Sequence, residues 1–125
     1  MVTSIPLVLE VAESAERGLM DRESLAFGVD GMIFFSRRPT TAPFWNHRTP
    51  MPLDVVFVDG RTGAMTVVPM RSIRESRGVV EQVDPPFPYT IVIEVPRGRL
   101  PKGRLRLRRV NRRQPGHVLA VVHVG

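Results

Sequence analysis

Apolar and polar positions alternate with short periods along most of the chain. Ile5-Pro6-Leu7-Val8-Leu9-Glu10-Val11 predicts a strand, with Pro6 placing it at a strand start or a sheet edge. Ala15 to Leu19 is a short helical candidate, capped by Ser14 and stopped near Gly18. The unbroken run Gly31-Met32-Ile33-Phe34-Phe35 predicts a buried strand, and Ser36 to Pro43 a polar loop. Leu53 to Val58 and Ala64 to Val68 flank Asp59-Gly60-Arg61-Thr62-Gly63, a hairpin signal with two glycines available for positive φ. Asp84-Pro85-Pro86-Phe87-Pro88 is a stiff connector that cannot donate ladder hydrogen bonds at three positions. Thr90 to Val95, the alternating Arg104-Leu105-Arg106-Leu107-Arg108 and Val118 to Val124 complete the β-prone segments. Twelve prolines leave little room for long helices. The expected fold is therefore mostly β (α+β): a compact, small barrel-like or folded sheet with one or two short helices. It forms a single domain over residues 1–125, with an Arg-rich C-terminal extension at about 96–125.

Composition narrows the function classes. With 125 residues the chain is long enough to bury a core without staples, and the absence of Cys removes disulfides, thiolate nucleophiles and Cys-based metal sites. No apolar run reaches the ~20 residues of a membrane span, and Met1 to Ile5 does not read as a signal peptide. The expectation is a soluble chain, cytoplasmic or incorporated in a particle, with no membrane partner. The net charge of +6 is unevenly placed. Residues 1–94 hold 9 Arg against 12 acids, whereas residues 95–125 hold 8 Arg, Lys102 and no acid. The basic residues are almost all Arg, whose planar fork grips carboxylates and phosphates in pairs of hydrogen bonds. Only 4 Asn and Gln and no Cys lean toward a thermophilic source, although Lys is scarce as well.

Motifs for established chemistries are missing. Gly98 to Gly103 has the glycine spacing of a phosphate loop, but Arg104-Leu105 stands where Lys and Ser/Thr are needed. His117 and His123 share strand parity about 20 Å apart at ~3.3 Å per residue, too far for one metal ion. No metal site, no cofactor and no catalytic residue is expected. Two regions remain. Arg97, Arg99, Arg104, Arg106, Arg108, Arg109, Arg112 and Arg113 form a candidate docking face, with Arg104, Arg106 and Arg108 on one side of a strand. The stretch from Arg97 to Arg113 holds no aromatic to stack on bases. The second region is Phe44-Trp45-Asn46-His47-Arg48-Thr49, ahead of Pro50-Met51-Pro52, where a stiffened loop displays the chain's one Trp. His47 there is either a solvated loop residue or a group able to titrate near neutral pH.

Four stretches in order carry a family likeness: Arg17-Gly18-Leu19-Met20-Asp21-Arg22 before Gly31 to Phe35; Phe44-Trp45 through Thr49; Pro52-Leu53-Asp54-Val55-Val56-Phe57-Val58-Asp59; and Pro88-Tyr89-Thr90-Ile91-Val92-Ile93-Glu94-Val95. Together they resemble the uncharacterised prokaryotic family called domain of unknown function 192, over roughly Ile5 to Val110. The resemblance implies a compact, mostly β fold with minor helix and no established activity. Its recurrent polar positions fall on Arg17, Arg22, Trp45, Thr49, Asp54 and Glu94, which would either line a pocket or form a buried ion-pair scaffold. Asn46-His47-Arg48 replaces the family's usual Met-Lys-Asn, and Pro96 to Gly103 is too rich in Gly and Pro for the short helix usual there.

Three functional expectations follow. The first is a non-catalytic interaction or structural module that docks through its Arg-rich edge onto a protein partner or a second copy, as in a virion-like assembly. The second is a small-anion binder or enzyme with a pocket near Arg17, Trp45, His47 and Asp54, in which His47 moves a proton. The third is a binder of nucleic-acid backbone.

Overall fold

The computed structural model describes residues 3–125. Its strands are β1 (Thr3–Val11), β2 (Gly31–Thr40), β3 (Phe44–Trp45), β4 (Leu53–Val58), β5 (Ala64–Met70), β6 (Gln82–Val83), β7 (Tyr89–Pro96), β8 (Leu105–Gln114) and β9 (His117–Val124). Seven of them hydrogen bond in the order β1-β2-β7-β4-β5-β8-β9, and β9 pairs back onto β1 from Thr3↔Val124 to Glu10↔His117. β3 and β6 form a separate two-stranded ribbon. The ring is uneven. β5 meets β8 only at Ala64↔Arg106 and Met65↔Leu105, and the parallel β1–β2 seam holds three pairs. The result is a sheet curled on itself rather than a regular cylinder of equal staves.

The mostly β expectation holds, and the expectation of one or two short helices does not: among the described residues there is no helix. Ser14 does cap its segment, its Oγ accepting from Arg17 N at 3.1 Å. The turn that follows cannot propagate, because Gly18 sits at φ 46° and Asp21 at φ 63°, both left-handed. Successive i→i−3 bonds (Met20 N to Arg17 O, Arg22 N to Leu19 O) make a chain of turns instead. The segment expected as a polar loop from Ser36 is the end of β2, which continues to Thr40 through an irregularity after Phe35. In the β4–β5 hairpin only Gly63 takes positive φ, at 79°.

Burial explains the apolar runs. β4 is buried at all six positions because both of its faces are covered. Val56 packs inside the curl with Leu7, Leu9, Ile33, Ile93 and Val122. Leu53, Val55 and Phe57 face the other way, into an outer core with Leu19, Phe34, Phe44 and Tyr89. That outer core lies between the β2-β7-β4 face and the segments that cross it. Phe44 is its hub, with ring centroids 5.1 Å from Phe34, 6.0 Å from Phe57 and 6.1 Å from Tyr89.

Candidate functional site

The covering layer leaves a cavity of about 370 Å³ over the outer face of β2 and β7, lined among others by Arg17, Gly18, Phe34, Trp45, His47 and Glu94. Glu94 lies on β7, paired with Met32 on one side and Val55 on the other. Strand alternation turns Ile93 and Val95 into the inner core and places Glu94 on the same face as Val92, in the outer layer. Its side chain is 4% exposed, and among the described residues it makes no hydrogen bond or ion pair. Burial pushes its carboxyl up to about 8, because the charged form has lost water and gained nothing in return.

The rim is built by two crossing segments. The turns after β1 carry Arg17 and Gly18 and are pinned by Leu19, which is 2% exposed. The second segment carries β3, where Phe44 points into the outer core and Trp45 points out, 54% exposed. Arg48 clamps the segments together. Its guanidinium holds Asp21 with two hydrogen bonds, Nε to Oδ1 at 3.0 Å and Nη2 to Oδ2, while Asp21 N donates to Arg48 O at 2.7 Å. Both residues have positive φ. Behind the wall residue Ala42, Tyr89 donates its hydroxyl to Ala42 O at 2.6 Å, and burial raises its phenol above the ordinary range.

The family-derived positions therefore divide. Arg17, Trp45, Thr49 and Glu94 line the cavity together with His47. Thr49 is buried and donates its hydroxyl to His47 O at 3.1 Å. Arg22 instead pairs with Glu10 at 2.6 Å, both partly buried. Asp54 lies away from this cavity; its Oδ2 accepts from Gly98 N at 3.0 Å and fixes the turn after β7. The pocket imagined around Asp54 thus has Glu94 in its place, and Arg22 and Asp54 serve the scaffold.

One further residue is structural. Asn46 is fully buried, donates from Nδ2 to Ser76 Oγ at 2.9 Å and Arg71 O at 3.2 Å, and accepts from Glu81 N at 2.7 Å. It holds the irregular segment between β5 and β6 against the cavity-forming loop. Only its place between Trp45 and His47 could have drawn notice.

The arginine run divides too. Arg97 donates to both oxygens of Glu75 at 2.9 and 3.1 Å and to Met70 O, which together with the Ser72 backbone holds the Glu75 carboxyl down at about 2. Arg99 pairs with Asp30 at 3.0 Å. Arg104, Arg106, Arg108, Arg109, Arg112 and Arg113 are exposed, with no ion pair among the described residues. The expected common face of Arg104, Arg106 and Arg108 is interrupted: the register shifts between Leu107 and Arg109, which leaves Arg108 in a bulge. Among the described residues no group of His, Asp and Glu is arranged to hold a metal ion, and no helix is long and apolar enough to cross a membrane.

Two solved structures are similar. One, a protein of unknown function from Novosphingobium aromaticivorans DSM 12444, is 28% identical at a TM-score of 0.53, with 72% of this chain covered. The match spans 61% of that protein's length. The other, from Sinorhizobium meliloti 1021 and described as a "putative transcription regulator", is 26% identical at a TM-score of 0.52 over 73% of this chain and 67% of that one. No curated protein matches the sequence. The sequence pattern of domain of unknown function 192, described as an uncharacterized ACR family, matches residues 5–107, and the chain belongs to that family.

Proposed function

We propose that the chain is a binding domain for a small, largely apolar molecule that carries a basic, hydrogen-bond-donating nitrogen group. The observation that carries this reading is Glu94, a carboxyl 4% exposed and without a partner on the wall of a 370 Å³ cavity. Keeping such a group away from water is costly unless something bonds to it. An amine or amidine bonds to the carboxylate and would recover that cost on binding. Phe34, Phe44 and Leu19 supply the apolar wall for the rest of the molecule, and Trp45 a flat edge at the mouth. Binding fits better than proton transfer, because His47 sits exposed at the rim while Glu94 is enclosed.

The lone Trp makes the test direct, since emission excited at 295 nm reports only Trp45. Benzylamine and benzamidine should change that emission saturably, at least tenfold more tightly than benzyl alcohol or phenylacetate. Glu94→Gln should abolish the preference for the nitrogen compounds. Equal responses to all four compounds, or a preference that survives Glu94→Gln, would sink the reading.

A further inference from the structure

β8 outruns its neighbour. β5 pairs with it only at Leu105 and Arg106, whereas β9 follows it to Gln114. From Arg108 to Gln114 the second edge of β8 has no strand beside it in the described pairing. Charges and bulges are the usual means of keeping such an edge from pairing with another strand. Both are present, with register shifts after Leu107 and after Arg112. The charge is also dense: Arg104, Arg106, Arg108, Arg109, Arg112 and Arg113 stand in ten residues with no acid among them. At ~3.3 Å per residue they span roughly 30 Å.

The edge also has a concave end. Leu107 N donates to Gly63 O at 2.8 Å, which docks the β4–β5 turn onto the bulge. Beside that contact lies a cleft of about 440 Å³ walled by Arg106, Arg108, Arg109 and Thr62. Asp59 is the carboxylate on its wall, and one of its oxygens is already held by Arg61 N at 2.9 Å.

Charge matching decides the class of partner. Arg22, Arg48, Arg71, Arg74, Arg97 and Arg99 each hold an acid of this chain. Of the remaining acids, Asp54 and Glu94 are buried. That leaves Glu13, Glu16, Asp59 and Asp84, scattered along the chain and fewer than the six arginines a second copy would have to neutralise. A protein partner would want aromatic or large apolar anchors. Among the described residues the exposed large apolar side chains are Phe27, Phe35, Trp45, Val67, Val79 and Val80, none of them on β8 or β9. Phe35 on β2 lines a cleft with Arg112 and Gln114, but a lone ring gives no platform for successive unpaired bases.

We propose that the outer edge of β8, from Arg104 to Arg113, binds the phosphate backbone of duplex nucleic acid without reading its sequence, the cleft beneath the β4–β5 turn seating one phosphate. Such binding weakens with salt by about 0.9 log unit per contact for each decade of salt concentration. The probes are two fluorescein-labelled 24-base-pair DNA duplexes of unrelated sequence, followed by anisotropy from 50 to 300 mM NaCl. Both duplexes should bind equally, with a log–log slope between about −3.5 and −5.5 for four to six contacts. Replacing Arg108, Arg109, Arg112 and Arg113 with Gln should flatten the slope by about 3.5, and replacing all four with Lys should preserve it. If the fourfold Gln variant loses its far-UV circular dichroism, Arg112→Gln with Arg113→Gln, beyond the reach of β5, should flatten the slope by about 1.8. Absence of binding at 50 mM salt, a wild-type slope shallower than about −2, or a slope untouched by the Gln variants would overturn the proposal. So would displacement of the duplex by poly-L-glutamate as readily as by unlabelled duplex, which would assign the edge to an acidic protein.

Discussion

A Cβ on Gly18 would stand 3.4 Å from Glu94 Oε1 and 3.2 Å from Phe34 Cζ, so the turn after β1 lies against the buried carboxyl and a methyl group there would press on the Phe34 ring. Gly18 also takes φ 46°, which a side chain adopts at a cost. Gly18→Ala should therefore destabilise the protein by about 1–2 kcal/mol in urea melts. Its methyl group would also narrow the cavity, so benzylamine should move Trp45 emission at least severalfold more weakly in this variant. An unchanged titration would mean that the ligand enters without passing Gly18.

Glu94 makes stability fall as pH rises. Burial holds its folded-state value at about 8, above the ordinary 4.5 it regains on unfolding. Between those two values the folded chain keeps a proton that the unfolded chain gives up, so stability drops by up to about 1.4 kcal/mol per pH unit. The loss levels off above about pH 8. Glu94→Gln should remove the slope between pH 5 and 8 and melt higher than the wild type at pH 8. A wild-type melting temperature that is flat across this range would contradict the buried, unpartnered placement.

Glu75 acts in the opposite sense at the acid end. Arg97 and the Ser72 backbone hold it at about 2, below 4.5, so its contribution is complete above pH 4.5 and is lost as pH falls through 2. The pair is exposed, and its effect should shrink in 1 M NaCl. Arg97→Gln should reduce the salt-sensitive part of the acid destabilisation, as read by circular dichroism at pH 2–4, and leave the share of Glu81, which Arg71 also holds low.

Asn46 joins three stretches of chain through one side chain. Asn46→Ala would leave Glu81 N without its acceptor and the Ser76 hydroxyl and Arg71 carbonyl without their donor, the first and last partly buried and the Ser76 hydroxyl buried. The expected loss is about 2–4 kcal/mol. Hydrogen exchange should localise it, with Glu81 and the amides between β5 and β6 exposed first. Uniform loss of protection across β4 and β7 would instead place Asn46 in the global folding unit.

Strands whose apolar character comes from burial were legible in the sequence. Leu53 to Val58 is apolar at five of six positions because two cores share it, and its limits match β4. What could not be read was structure imposed from outside the segment. Phe44–Trp45 and Gln82–Val83 are strands only because each is the other's partner across 37 residues of chain. Ala15 to Leu19 had a cap and helix-forming residues, but Gly18 and Asp21 turn left-handed to lay the segment over Phe34 and Glu94. Arg104 to Arg108 alternates in sequence, and the bulge that breaks its face follows from the β4–β5 turn docking at Leu107. The family likeness marks Glu94 as a pocket or scaffold residue without deciding between them; that it lacks a partner is a property of the layer above it.

Asp54 and Glu94 separate scaffold from site, because they lie on adjacent strands with opposite circumstances. Asp54 is 8% exposed, and its carboxylate accepts from Gly98 N. Asp54→Ala orphans that amide and should cost about 1–2 kcal/mol, while Asp54→Asn keeps an acceptor oxygen and should cost less. Neither change touches the cavity, so benzylamine should shift Trp45 emission in both with the wild-type midpoint. Glu94→Gln should do the reverse, preserving or raising stability at pH 8 while abolishing the preference for nitrogen compounds. Urea melts and fluorescence titrations on the three variants check the pattern. A weakened benzylamine response in Asp54→Asn, at unchanged stability, would return Asp54 to the binding site and refute the division.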